Sequence, residues 1–254
     1  MNKLWDYRHL TLKLAMSEFK LRYKNSVLGF FWSLLEPLMM LIVLYVVFTN
    51  LMRVNVEHYQ LFLLMGIVSW NLMARGTGMS LNSILGKPSL VQKVYFPREV
   101  LVISSCITAL LMSLLEFIVF AAFMIFFKVM PSITIIYFPI VLAVEFFMIL
   151  GISFGLAALN VYFRDVQYIW AVVLQAGFFA APIIYPISII PVNYVWVIML
   201  NPMTRIIDML RGSVIYSTVP ASGDMIYIIV SALLLLIVGY AIFAKLEPRF
   251  AEEM

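Results

Sequence analysis

Charged residues and cysteines are scarce in this sequence, and both shortages exclude whole classes of protein. Only 12% of the 254 residues are charged and 64% are hydrophobic, whereas a soluble domain is about 25% charged and about 45–50% apolar. The single cysteine, Cys106, cannot form an internal disulfide, and with only two histidines it cannot complete a cysteine or histidine metal site. The composition therefore excludes a soluble enzyme and indicates an integral membrane protein.

Long stretches without charge, interrupted by single acids or by prolines, run through most of the chain. A helix needs about 20 apolar residues to cross the hydrocarbon core of a bilayer. The sequence therefore predicts an all-α membrane protein with a single transmembrane domain over residues 1–254. It predicts six transmembrane helices, near residues 30–50, 58–75, 100–127, 133–160, 167–186 and 225–244.

The distribution of basic residues predicts the orientation of these spans. With the N-terminus inside, only Arg53, Lys128, Arg205 and Arg211 of the 17 Lys and Arg residues lie on the outer side. Because cytoplasmic segments carry the excess of Lys and Arg, both termini are predicted to be cytoplasmic. The same rule explains the net charge of +4, so we expect no nucleic-acid partner.

Residues 1–24 precede the first span and have an amphipathic pattern at helical spacing. One face gathers Trp5, Leu12, Met16, Phe19 and Tyr23, and another gathers Asp6, Lys13, Ser17, Lys20 and Lys24. This pattern predicts an interfacial helix lying among the lipids of the inner leaflet. The alternative is an ordinary positively charged flank of the first span.

Two further segments are apolar without being complete spans. Residues 187–220 are broken by prolines, and non-helical backbone at membrane depth must be covered by protein or line a wet cavity. We therefore expect short re-entrant helices there, with Arg205, Asp208 and Arg211 spaced closely enough to pair. The loop after span 2 combines basic with apolar residues and could dock on a soluble partner. Its residues are Leu81, Ile84, Leu85, Lys87, Leu90 and Lys93.

The chain lacks the usual signatures of catalysis. It has no GxxxxGK[ST] phosphate loop and no paired acids of the DxD kind, so we predict a non-catalytic chain without cofactor or metal of its own. Three acids, Glu36, Glu116 and Glu145, fall inside predicted spans, where a charge costs about 2.5–3.5 kcal/mol. They either form a polar wall of a transport pathway or tie helices together by hydrogen bonds, and the sequence leaves both readings open.

Six short motifs, in order along the chain, carry a resemblance to a known family. They are RYKNSVLGFFWSLLEP (residues 22–37), MGIVSWN (65–71), KVYFPREVLVIS (93–104), NVYFRDV (160–166), PIIYP (182–186) and LNPMTRIIDMLR (200–211). The chain resembles the membrane subunit of ABC-2 type polysaccharide exporters, which include permeases for O-antigen, teichoic acid and capsule. No single motif decides the match, but their order and spacing fit the six-span topology.

The resemblance implies a homodimer in the bacterial inner membrane, working with two copies of a separate phosphate-loop ATPase that binds ATP and Mg²⁺. It implies that the pair exports a polysaccharide linked to a polyprenyl diphosphate, and O-antigen is the specific expectation. The segment 81–97 would be the coupling helix seated on the ATPase, and Leu28 with Gly29 would form part of a cytoplasmic gate. The residues expected in the outer gate are Asn201, Pro202, Arg205, Asp208 and Arg211.

A lipid diphosphate would reach the inner interface, where guanidinium and ammonium groups can hold phosphate. The residues that we expect there are Arg22, Lys24, Arg75 and Arg98. Simple anchoring of the inner side by positive charge is the alternative for each of them.

The sequence is also compatible with other functions. Within the same family, the cargo could be teichoic acid, a capsular polymer or a small molecule. A membrane-embedded enzyme of lipid-linked sugars and an autonomous channel are the alternatives outside it. The absence of paired acids disfavours the enzyme.

Overall fold

A computed structural model describes residues 5–24, 29, 31–51, 56–88, 90, 96–250 and 253, of which residues 50 and 51 are described by their backbone alone. Regular structure within these ranges is helical, and no strand occurs in them. Leu28 of the expected gate and Lys93 of the expected coupling helix lie outside the described residues.

The helices follow the predicted order. We number the α-helices α1 (Arg8–Tyr23), α2 (Phe31–Val46), α3 (Tyr59–Leu81), α4 (Glu99–Phe126), α5 (Tyr137–Tyr162), α6 (Val166–Ala180), α7 (Val192–Met199), α8 (Pro202–Val214) and α9 (Ser222–Leu246). A π-helical turn, Val47–Leu51, continues α2, and 3₁₀ turns occupy Ile133–Ile136, Ile187–Ile189 and Glu247–Arg249.

Four helical segments are long and apolar enough to cross a membrane, namely Phe31–Thr49, Glu99–Phe126, Ile133–Tyr162 and Ser222–Arg249. They match predicted spans 1, 3, 4 and 6. Helix α3 has 23 residues but is less apolar, and α6 has only 15 residues. The protein is therefore a multi-pass helical membrane protein, while six spans with both termini inside remain a prediction.

Helix α6 ends earlier than the predicted span 5, at Ala180 instead of residue 186. Pro182 explains the difference, because a proline disfavours helical backbone in the residue before it, and Ala181 is extended. The segment 187–220 forms the short helices α7 and α8. Two short helices in this segment agree with the prediction, although their depth in the membrane remains a prediction.

Helix α3 forms the centre of the bundle. Most of its residues are buried, including a continuous run from Leu61 to Trp70, and it packs against α4 and α5. Its small and polar residues, such as Ser69 and Thr77, are buried in these contacts. A helix that is enclosed by neighbours in this way needs less apolar surface than one facing lipid, which accounts for its composition.

The closest helix packing joins α5 to α9. A Cβ atom added to Gly151 would lie 2.5 Å from the backbone of Leu235 and Leu236, and one added to Gly239 would strike the carbonyl of Gly151. Glycines let two helix backbones approach each other closely, which is how membrane helices gain packing energy without a hydrophobic driving force. This contact attaches the last long helix to the bundle.

Helix α1 confirms the predicted helix in the N-terminal segment and packs mainly on α4. Thr11 and Ala15 are buried, and Ala15 accepts a hydrogen bond from Thr108 of α4, while Trp5, Leu12 and Met16 are 70%, 53% and 47% exposed. The amphipathic arrangement agrees with the sequence pattern. Its position at the membrane surface remains a prediction.

Candidate functional site

A groove of about 680 Å³ runs along the bundle between α2 and α6, with α3 as its floor. Each helix contributes one stripe of side chains. The lining residues are Glu36, Met39, Met40 and Val43 from α2, Ile67, Trp70, Asn71 and Ala74 from α3, and Leu174, Gln175, Phe178 and Phe179 from α6. A mostly apolar groove with a few polar groups and several rings has the composition of a binding site for an amphipathic molecule.

The rings of the groove are held in fixed positions. Trp70 is 5% exposed and meets Phe178 edge to face at 6.2 Å between ring centroids. Gly177 makes room for the indole, because an added Cβ would lie 2.8 Å from Trp70 Cη2. Lower on the same two helices, Trp170 Nε1 donates to Thr77 Oγ1 at 2.9 Å. These contacts attach α6 to the central helix on the groove side.

Arg75 of α3 joins two of the three intramembrane acids. Its Nη1 donates to Glu116 of α4, and its Nη2 donates to Glu36 Oε2 of α2 at 2.9 Å. The Glu116 side chain is fully buried and that of Arg75 is 10% exposed, whereas Glu36 is 67% exposed at the groove. Neutralisation by Arg75 allows a carboxylate to sit inside the bundle.

This cluster changes the expected role of Arg75. A guanidinium whose two terminal nitrogens already donate to carboxyl groups has few donors left for an incoming phosphate. Arg75 therefore acts as a bridge between α2, α3 and α4 in this structure. Glu36 is the member of the cluster that faces the groove.

Glu145 occupies a different part of the bundle. It is fully buried in α5 and accepts a hydrogen bond from Ser69 Oγ of α3 at 2.9 Å. Ser69 is absent from the groove lining, so this contact lies away from the groove. Of the two readings of the acids, a tie between helices fits Glu145, and a place on the pathway fits Glu36.

Arg211 of α8 holds the chain where α6 breaks. Its guanidinium donates to the carbonyl oxygens of Phe62, Pro182 and Ile183 at 3.0, 2.6 and 2.7 Å, and it lies 3.4 Å from the Phe62 ring centroid. Burial lowers the pKa of Arg211 to about 9, so the group keeps its charge at neutral pH. The sequence could not predict carbonyls as its partners, because they lie far away along the chain.

The other residues expected in the outer gate lie at or near the start of α8, and most of them have structural contacts there. Asn201 caps the helix by accepting from the Met203 N–H at 3.0 Å, and Pro202 is the first helical residue. Arg205 pairs with Asp224 of α9 instead of Asp208, and it also donates to the Met199 carbonyl at 2.8 Å. Arg205 therefore pairs outside α8, whereas Asp208, which is exposed, lies within electrostatic reach of Arg211.

The other basic residues expected near a lipid diphosphate differ in whether their side chains are free to bind a ligand. Arg98 donates to the Glu247 carbonyl at 2.5 Å and faces the Phe250 ring, so its guanidinium fastens the C-terminal turn. Arg22 and Lys24 are exposed at the end of α1. Of the four residues expected near a lipid diphosphate, only this pair is open to a ligand in the structure.

The expected coupling segment is only partly exposed. Leu81 and Ile84 are buried, so their side chains cannot contact a partner protein. Leu85 and Leu90 are half-buried, and Lys87 pairs with Glu18 of α1. Gly29, of the expected gate, adopts a left-handed backbone with φ of 51°, a conformation that favours glycine.

Several groove residues were missed by the sequence analysis. Gln175 is a polar side chain in the long uncharged stretch around span 5, and this contrast was the signal that could have identified it. Trp70 and Phe178 gave no such signal, because aromatic residues are common throughout the chain.

The fold and the groove define a class, a multi-pass helical membrane protein with a polar cluster beside an elongated groove, and comparison with known proteins refines it. The family described as ABC-2 type transporter matches residues 9–215. The chain belongs to the ABC-2 type transporter family.

The relatives carry transport names. An O-antigen export system permease protein RfbA from Klebsiella pneumoniae is 31% identical over 245 residues, which are 96% of this chain and 94% of the relative. A protein of the same name from Myxococcus xanthus is 29% identical over 256 residues, covering 100% of this chain and 98% of the relative. The polysialic acid transport protein KpsM from Escherichia coli is 23% identical over 244 residues, 92% of each chain.

These relatives are permease subunits of exporters, so this chain is a transport subunit and not an enzyme. ABC-2 permeases work with a partner ATPase. The resemblance stated from the motifs is thus confirmed at the level of the family.

Proposed function

We propose that this chain is the membrane permease of an ATP-driven exporter that moves a polyprenyl-diphosphate-linked polysaccharide, most specifically O-antigen, across the bacterial inner membrane. The groove between α2 and α6 is the observation that carries the proposal. It offers the partly exposed ring of Phe178, which can stack on the apolar face of a sugar, together with the polar side chains of Glu36, Asn71 and Gln175. The full-length similarity to two O-antigen permeases supports the cargo class.

The groove is open along one side, so a closed path needs a second surface. The rims of the groove are apolar and exposed: Met39 and Val43 on α2 are 59% and 55% exposed, and Phe179 on α6 is 61% exposed. A second copy of the chain would cover these rims and supply the matching half of the path. Two ATPase subunits would then bind the two copies, one for each 81–97 segment.

A bulky residue in the groove tests the pathway. Ala74→Trp places an indole on the floor of the groove, so export should fall by about tenfold or more, because the indole fills space that the cargo would occupy. The measurement is the amount of polymer at the surface of cells that produce the lipid-linked polysaccharide and contain the ATPase.

The matched control is Ala241→Trp, which adds the same side chain to an exposed position on α9. Both variants should accumulate in the membrane and copurify with the ATPase. Wild-type export by Ala74→Trp would show that the cargo does not use this groove.

The cargo itself is tested by complementation. The chain should restore surface polymer in a strain that lacks its own O-antigen permease when the cognate ATPase is supplied. Restoration only in strains that make teichoic acid or a capsular polymer would assign one of those cargoes.

A further inference from the structure

Glu18 on α1 contacts two separate parts of the molecule. One carboxylate oxygen accepts from Lys87 in the loop after α3, and the other accepts from Ser105 Oγ at 3.2 Å and Thr108 Oγ1 at 3.3 Å on α4. The side chains of Glu18 and Lys87 are only 19% and 27% exposed. One side chain therefore joins the loop of residues 82–88, which we call the docking loop, to a long helix of the bundle.

The α4 side of this link is firmly built. Thr108 Oγ1 also donates to the Ala15 carbonyl of α1 at 3.1 Å, and Thr108, Ser105 and Ala15 are all buried. Charge-assisted hydrogen bonds are about twice as strong as neutral ones. Partial burial reduces their screening by water and salt. Helix α1 is thus bound to α4 by side chains and not only by apolar packing.

The docking loop has a second attachment at its base. Asn160 of α5 donates to the Leu81 carbonyl at 3.1 Å and to Asn82 Oδ1 at 3.3 Å. The beginning of the loop is therefore fixed to α5, while its distal part reaches α1 through Lys87. Lys87 is the residue of the loop that contacts Glu18, so this pair links the distal part of the loop to α1.

We propose that Glu18 is a positioning residue that transmits movement of the docking loop through α1 to α4. The proposal rests on the proposed function, because it takes residues 81–97 as the segment that contacts the ATPase. When the ATPase moves the docking loop, the Glu18–Lys87 pair carries α1 with it, and the bonds to Ser105 and Thr108 carry α4. Helix α1 is then a part of the transport mechanism as well as a membrane anchor.

The first measurement tests the link in the full-length permease alone. Glu18→Gln should make backbone amides of α1 exchange with deuterium about tenfold faster, because it loses charged hydrogen bonds that hold the helix on α4. Asp6→Asn removes an exposed carboxylate close to α1 and should leave this exchange unchanged. Equal exchange in the wild type and Glu18→Gln would overturn the proposal.

The second measurement tests transmission in the complex with the ATPase. Spin labels at Ser17→Cys on α1 and Lys245→Cys on α9, both exposed positions, report whether α1 moves when ATP and vanadate are added. Cys106 is buried, which favours labelling of the introduced cysteines. The wild type should show a change in distance, whereas Glu18→Gln and Lys87→Met should lose it and still hydrolyse ATP.

Exchange of the charges separates transmission from simple loss of folding. In Glu18→Lys with Lys87→Glu the pair re-forms, and the hydroxyls of Ser105 and Thr108 can accept from the new ammonium, so the distance change should return. An unchanged distance response in both single variants would overturn the proposal, and so would a double variant that folds without recovering the response. Export in the assay of the proposed function is scored separately, so its failure is distinguishable from failure of the link.

Discussion

At the scale of single residues, the buried arginines of this protein serve the architecture before they serve any ligand. Arg75 is bound by two carboxylates, and Arg211 is bound by three backbone carbonyls. The planar guanidinium, with several donors in fixed directions, suits both tasks, whereas lysine offers a single charged nitrogen. Basic residues within a permease are therefore poor predictors of a phosphate site until their partners are known.

Removal of Arg75 tests the bridge. Arg75→Met leaves the Glu116 carboxylate buried without its cation, so the free energy of unfolding should fall by about 3–5 kcal/mol. Glu36→Gln should cost only about 0–1 kcal/mol, because Glu36 is mostly exposed. Thermal unfolding of the purified protein in detergent measures both.

The matching double variant isolates the pair. Arg75→Met combined with Glu116→Leu removes the charge together with its partner and should recover most of the lost stability. A double variant as unstable as Arg75→Met alone would mean that the arginine acts through packing.

Gly66 tests the other arginine. A Cβ on Gly66 would collide with the Arg211 guanidinium and approach Ile183 Cγ2 at 3.2 Å, so Gly66→Ala should lower the free energy of unfolding by about 1–3 kcal/mol. Gly78 lies on the same helix with open space around it, and Gly78→Ala should instead stabilise by about 0.5–1 kcal/mol. If both substitutions changed the free energy of unfolding in the same direction, the role given to Arg211 would be contradicted.

At the scale of elements, the contact between α5 and α9 depends on the positions of its glycines. Gly151→Ala directs a methyl group into the backbone of α9, so the helices must separate and the free energy of unfolding should fall by several kcal/mol. Gly155 lies one turn further along α5. A Cβ atom added to Gly155 would lie 3.7 Å from Gly239 Cα, which is an ordinary van der Waals contact. Gly155→Ala should therefore be tolerated, and comparable losses in both variants would exclude backbone contact as the cause.

At the scale of the whole molecule, the sequence predicted the elements far better than their contacts. Uncharged runs of bilayer length are local features, so α4 and α9 lie within a few residues of spans 3 and 6. Helix α6 ends before residue 186, although residues 181–186 are largely apolar, because Pro182 disfavours helical backbone at Ala181.

The site was predicted only in parts. The sequence singled out Glu36, Arg75 and Glu116, but it left the acids open between a pathway wall and ties between helices, and it offered the arginine as a candidate phosphate ligand. Their union in one cluster depends on how α2, α3 and α4 approach each other, which no local pattern encodes. Glu18 gave no signal at all, because a single acid on a basic amphipathic helix is unremarkable until its neighbours are known.

The contacts of Arg211 also bear on how the chain is made. Its three carbonyl partners, on Phe62, Pro182 and Ile183, leave the ribosome before Arg211 does. Until α8 arrives, these carbonyls lack the guanidinium donors of Arg211, which apolar surroundings make valuable. Insertion of the early helices can therefore precede completion of this end of the bundle, and its closure is a late step of biogenesis.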